Sequence, residues 1–266
     1  MVALSELIPV EAVRLGVRAA DWREAIRAAG ELLVATGAGT GDYTAEMIRN
    51  VEDNGPYIVI APGFAFAHAR PSPAVLRTGM SWVRLEQPVE FGHESNDPVD
   101  LVVALAAKDS GAHTAAMASL ARLLADPETA RALHEAPTPE ALHAVLVAQD
   151  RQGQAAQEGG RPPQRAARGG AGPHKILTVC GNGVGTSLFL KNTLEEVLDR
   201  WGWSRFITVE ATDTISAKGK ASEAAAILTS REIARTLGDV GVPVKVVEDF
   251  TSTSEIDRVL RDTYDV

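Results

Sequence analysis

The 266-residue sequence predicts two α/β domains, a first with a mixed sheet flanked by helices and a smaller second with a parallel sheet and a phosphate-binding loop. Three observations carry that expectation. Strand-like runs and runs with helical period follow one another in both halves. The stretch from 150 to 173, "DRQGQAAQEGGRPPQRAARGGAGP", holds no Val, Ile, Leu or aromatic residue and divides them. Finally, "KILTVCGNGVGTSLFLKN" runs from a buried-type strand through a glycine turn into a helix. The expected boundaries are a first domain over 1–149, a flexible linker over 150–173 and a second domain over 174–266. A flexible linker of this length, 24 residues, reaches roughly 25 Å.

In the first half, "DWREAIRAAGELL" opens with Asp21 and has Glu24 three residues later, a capping-box arrangement before apolar residues at helical spacing. "YIVIAPGFAFAHA" turns strand-like, and "GMSWVRL" and "VDLVVALAA" read as further strands. "GAHTAAMASLARLLADPETARAL" and "TPEALHAVLVA" return to the helical period. In the second half, "KILTVC" is a strand and "TSLFLKNTLEEVLDRWG" a helix ending at Gly202. "RFITVE", "AAAILTS" and "PVKVVED" are short strands, with "REIARTLG" and "SEIDRVLRDTY" as helices between or after them. That order suits a small parallel sheet with helices on its faces.

Composition narrows the function classes. At 45% hydrophobic and 23% charged the chain has a globular profile, and a net charge of −9 disfavours nucleic acid, whose phosphates reward clustered Lys and Arg. No apolar stretch approaches the roughly 18 to 20 residues of a membrane helix, and "MVALSELIPVEAVRLG" lacks a secretory pattern, so a cytoplasmic protein without direct membrane insertion is expected. The single cysteine, Cys180, excludes an intramolecular disulfide and any multi-cysteine zinc site.

Cys180 stands at the mouth of "CGNGVGTS", where loop amides and the first helical N–H groups lack backbone acceptors and suit an anion. A Walker A loop would need Lys before Thr186 and Ser187, and a dinucleotide fingerprint would need Gly at Thr186. A cysteine phosphatase would need Arg there. What fits is a cysteine followed by five residues and a hydroxyl pair, with a helix dipole lowering the thiol pKa from about 8.5 so that a thiolate can attack a phosphoryl group. A buried cysteine ending a strand is the plainer reading; three alternating glycines and the following helix favour the first.

"ILTVCGNGVGTS" resembles the phosphocysteine loop of IIB components of the phosphoenolpyruvate-dependent sugar phosphotransferase system, of the ascorbate and galactitol type. The resemblance implies that Cys180 carries the phosphoryl group and that Gly181, Asn182, Gly183, Val184, Gly185, Thr186 and Ser187 cradle it. "IVIAPGFAFAHARPSPAV" is similar to the active-site segment of IIA components of the mannitol, fructose and ascorbate type, which implies phosphate on His68, with His113 and Arg49 as its companions. The family usually has proline before the active histidine, where this chain has Ala67. A neutral imidazole is a competent nucleophile near pH 7, and donors beside it stabilise the incoming charge. His93, His134 and His143 are expected at the surface.

The resemblance implies a fused IIA–IIB phosphotransferase. The phosphocarrier HPr would donate to His68, Cys180 would receive, and a sugar held by a separate membrane IIC permease, ascorbate by the loop's likeness, would accept. No metal or other cofactor is implied. A phosphorylation-responsive regulatory module built from the same domain types is the alternative; such proteins carry further helical or DNA-binding segments, which the sequence does not display.

Overall fold

The structure is a computed structural model that describes residues 3–158, 175–180 and 186–264, with backbone only over 153–158. The chain divides into two compact units, Met1–Gln152 and Gly153–Val266.

The first unit contains α1 (Leu4–Leu7), β1 (Val13–Val17), α2 (Trp22–Ala35), α3 (Gly41–Asn54), β2 (Val59–Ala61), β3 (Phe64–His68), β4 (Gly79–Val89), β5 (Val99–Ala106), α4 (Ser110–Ala125), α5 (Pro127–Glu135) and α6 (Pro139–Glu158). Its five strands lie in the order β1-β4-β5-β3-β2. β4 runs antiparallel to β5 and β3 parallel to it, so the sheet is mixed. Asp21 starts α2 by accepting from Glu24 N at 2.9 Å, as its spacing predicts, and the Glu24 carboxylate reaches back past the cap to Ala20 N at 2.8 Å, one residue earlier than a capping box would place it. "YIVIAPGFAFAHA" is a hairpin of β2 and β3 rather than one strand. Gly63 turns it with φ +75°, and a Cβ there would meet Asp100 Oδ1 at 3.1 Å.

α2 and α3 bury Ile26, Leu33, Tyr43 and Met47 against Ala65 and Ala67 of β3 and against Val102 and Ala104 of β5. Side chains alternate along a strand, so Phe66 and His68 face the other side of the sheet. α4 packs against β5. α6 closes the unit: the Asp150 carboxylate accepts from Leu4 N at 3.0 Å and from Ser5 N at 2.8 Å, satisfying amides at the start of α1. His143, expected at the surface, is half-buried with Nε2 donating to Ser5 O at 3.1 Å.

The last helix of the first unit runs past position 150, where the linker was expected to start. α6 continues to Glu158, through "DRQGQAAQE". Gln, Ala, Arg and Glu are good helix formers, and extending an anchored helix costs far less than nucleating one, so the absence of apolar residues does not end it. The remainder, 159–173, lies outside the described residues.

The second unit contains β6 (Lys175–Cys180), α7 (Ser187–Arg200), β7 (Thr208–Asp213), α8 (Thr214–Lys220), β8 (Ala226–Thr229), α9 (Arg231–Leu237), β9 (Val244–Val246) and α10 (Thr253–Tyr264). The strand order is β7-β6-β8-β9 and every pairing is parallel. β6 is an inner strand, buried from Ile176 to Cys180, as its near-continuous apolar run requires. The sequence reading placed no helix between "RFITVE" and "AAAILTS". β7 and β8 lie on opposite sides of β6 and both run parallel to it, so the chain between them must cross over, and α8 lies on that connection, started by Asp213, which accepts from Ser216 N at 2.8 Å.

Candidate functional site

In the first unit His68 is the last residue of β3, in register with Leu105 of β5. Ala67 pairs with Ala104, so regular strand pairing reaches the histidine without a proline before it. β5 leads into α4, which Asp109 caps by accepting from Ala112 N at 2.8 Å, and His113 lies in the first turn of that helix. Strand end and helix start bring the two imidazoles together, with ring centroids 5.4 Å apart at 61°. Phe66 lies 5.3 Å and Tyr57 6.0 Å from the His68 ring, centroid to centroid.

His68 Nδ1 is 3.0 Å from Phe66 O. A carbonyl only accepts, so Nδ1 carries the proton and Nε2 keeps its lone pair. Burial, with a smaller contribution from His113 and against the Phe66 hydrogen bond, pushes the His68 pKa down to about 4. Burial also lowers that of His113, and the positive end of the α4 dipole works in the same direction. Both rings are therefore neutral near pH 7. His113 Nδ1 is buried with no hydrogen-bond partner among the described residues, leaving a polar atom unsatisfied in the ring that neighbours His68.

This predicts a titration. The His68 ring resonances move with a midpoint near 4, well below the ordinary 6.5. Because the folded value lies below the unfolded one, the stability held by the neutral ring is complete above about pH 6.5 and is lost as pH falls through about 4. NMR titration of histidine-labelled protein checks the midpoint; a value above 6 contradicts the burial described.

Arg49 is on α3 with an exposed side chain, and it makes no hydrogen bond, ion pair or ring contact among the described residues. The residue that α3 does bring to His68 is its neighbour. Asn50 Nδ2 donates to His68 O at 3.3 Å and to the Tyr57 hydroxyl. Neither Asn50 nor Tyr57 was singled out from the sequence, and no spacing signal could have marked them.

In the second unit Cys180 ends β6, in register with Asp213 of β7. The residue is 6% exposed, and its Sγ donates to Ser187 Oγ at 3.4 Å. Thr178 and Thr229, both fully buried, fix this strand end: the Thr178 hydroxyl donates to Ser187 O at 3.0 Å and the Thr229 hydroxyl to Val179 O at 2.6 Å. Thr186 and Ser187 are buried at the start of α7, beside the sulfur. Gly181, Asn182, Gly183, Val184 and Gly185 lie outside the described residues.

The lowered thiol pKa expected from the sequence is not what the surroundings produce. Burial raises it, and the hydrogen bonds of Ser187 and Thr186 oppose the rise without cancelling it. A helix terminus contributes roughly 0.3–1 kcal/mol, against several kcal/mol for taking an ion out of water. The resting group is a neutral thiol.

A paired-histidine site on a mixed sheet, joined in one chain to a cysteine at the end of a parallel-sheet strand, defines a two-unit phosphotransfer protein. The family model for the phosphoenolpyruvate-dependent sugar phosphotransferase system, EIIA 2, matches residues 6–149, and the chain belongs to this family. The model for the lactose/cellobiose specific IIB subunit of the same system matches residues 175–262, so IIA and IIB components are fused here.

The ascorbate-specific EIIA component of Salmonella typhimurium (strain LT2) is 45% identical over 101 residues, 38% of this chain and 66% of that protein. Its counterpart in Escherichia coli (strain K12) is 43% identical over 103 residues, 39% of this chain and 67% of that protein. The chain thus spans about two thirds of the length of these relatives. The solution structure of the mannitol-specific cryptic enzyme IIA CmtB from Escherichia coli superposes with a TM-score of 0.50 at 32% identity, covering 55% of this chain and 98% of that one. Among the described residues no helix is long and apolar enough to cross a membrane.

Proposed function

We propose that the chain is the IIA–IIB relay of a sugar phosphotransferase system, taking a phosphoryl group from phospho-HPr on His68, passing it to Cys180 and delivering it to a sugar bound by a separate membrane IIC protein. The observation that carries this reading is the state of His68: neutral, with Nδ1 engaged by Phe66 O and Nε2 left as the nucleophile. The N–P bond to Nε2 forms as the donor's own N–P bond breaks, and the unsatisfied Nδ1 of His113 is a ready hydrogen-bonding partner for a phosphoryl oxygen. Arg49, long, exposed and without a partner among the described residues, can swing toward the incoming charge.

In the second step the S–P bond to Cys180 forms as the N–P bond breaks; the electron pair returns to Nε2 and the thiol proton is released. The hydroxyls of Thr186 and Ser187 already engage the sulfur, and Gly181 to Gly185 complete the proposed phosphate cradle. The boundaries of the two bodies, 1–149 and 174–266, follow the same reading. Ascorbate is the sugar favoured by the names of the IIA relatives, although the IIB family is named for lactose and cellobiose. Operation at the cytoplasmic face of the membrane follows from a IIC partner.

The test is reconstitution. Protein incubated with phosphoenolpyruvate, enzyme I and HPr is expected to take up phosphate that is lost in acid and survives base, located in the first unit, and then phosphate on Cys180. Absence of label on both residues, with HPr demonstrably phosphorylated, overturns the reading.

A further inference from the structure

α3 lies on the face of the sheet opposite the His68 ring, yet two of its side chains reach the histidine's backbone. Asn50 Nδ2 donates to His68 O at 3.3 Å. The Tyr43 hydroxyl, on a residue 1% exposed, accepts from Ala69 N at 3.1 Å. These two bonds hold opposite edges of one peptide group, the C=O and the N–H of the bond joining His68 to Ala69.

The hydroxyl proton of Tyr43 is itself placed between Leu105 O at 2.8 Å and Ala69 O at 3.1 Å, and Leu105 is the residue in register with His68. Asn50 is oriented in turn by Asn54, whose Nδ2 donates to Asn50 Oδ1 at 2.9 Å, so the Asn50 amide turns its donors toward Tyr57 and His68. Tyr43 and Asn50 are seven residues apart and share a face of α3.

We infer that Tyr43 and Asn50 form a clamp on the His68–Ala69 peptide and act as positioning residues that hold the His68 ring with Nδ1 on Phe66 O and Nε2 presented to the phosphoryl donor. Fixing this peptide fixes ψ of His68 and with it the direction of its Cα–Cβ bond where regular strand pairing ends. If the peptide turns, the ring leaves Phe66 O, and the tautomer with the proton on Nε2, which cannot attack, becomes accessible. The inference rests on His68 as the phosphate acceptor, but its first readout does not.

The experiment uses the full chain with 15N-labelled histidine. Variants are Asn50→Leu, which keeps the size and removes the donor, Tyr43→Phe, which removes only the hydroxyl, and Asn50→Gln as the conservative replacement. Long-range 1H–15N spectra report the tautomer, and phosphate uptake from phospho-HPr gives kcat and KM. Wild type is expected to show His68 with the proton on Nδ1 alone. In Asn50→Leu and Tyr43→Phe the second tautomer appears and kcat falls by about 10- to 100-fold with KM for the donor little changed, the scale of a nucleophile misplaced by about 1 Å. Asn50→Gln recovers part of both. Folded variants with a single tautomer and wild-type kcat overturn the clamp. If wild type carries no label on His68, the relay reading fails, while the tautomer comparison still decides whether the clamp exists.

Discussion

His68→Ala takes up no acid-labile, base-stable phosphate from phospho-HPr. Nε2 of His68 is the free nitrogen of a neutral ring. Loss of a nucleophile is not rescued by its surroundings, so the initial rate drops on the order of 10³-fold or more, to background. His68 is the last residue of β3 and half-buried, so the alanine chain keeps its fold and its melting transition tests that directly. Label equal to wild type in folded His68→Ala would remove His68 from the relay.

Cys180→Ser stalls the phosphoryl group in the first unit. The substitution replaces sulfur by oxygen in a site where the thiol is neutral and burial already raises its pKa. A serine hydroxyl starts several pK units higher and must surrender its proton in the same dry surroundings, so the second transfer falls by on the order of 10³-fold. Ser187 Oγ and the backbone fixed by Thr178 remain to accept the shorter side chain. Mass spectrometry after phosphorylation then finds the group on His68 only, and sugar phosphorylation with the matching IIC drops to background. Unchanged sugar phosphorylation in the variant rules out the proposed role of Cys180.

What the sequence disclosed is what near neighbours decide. Asp21 and Glu24 announced α2 because a helix cap is closed within one turn, and "KILTVC" announced an inner parallel strand because such strands are buried on both faces. Cys180 stood out at the mouth of a glycine turn before a helix, whereas His68 and His113 were marked by resemblance to a family segment, and the fold brings the two imidazole rings to 5.4 Å, centroid to centroid.

Long-range packing was not legible. Tyr43 meets Leu105 across 62 positions of sequence, and Asn50 meets His68 O across 18, with no pattern in either segment to couple them. Arg49 drew attention by resemblance, yet Asn50 beside it is the one bonded to the histidine, because a helix turns 100° per residue and adjacent side chains face different surroundings. The raised Cys180 pKa was hidden for a related reason: the helix terminus is written in the sequence, whereas the burial that outweighs it comes from the assembled sheet.

The bonds from Leu4 N and Ser5 N to Asp150 bear on how such a chain can be assembled from parts. They bring the opening segment of the first unit onto its last helix, so the unit is a closed loop of chain. A body whose entry and exit meet can be joined to another polypeptide at either side without threading the newcomer through its interior. Asp150 marks that seam, and α6 runs on past it to Glu158. On this architecture, fusing two separately encoded components into one polypeptide demands no redesign of the sheet that holds His68, only a helix long enough to lead away from the seam.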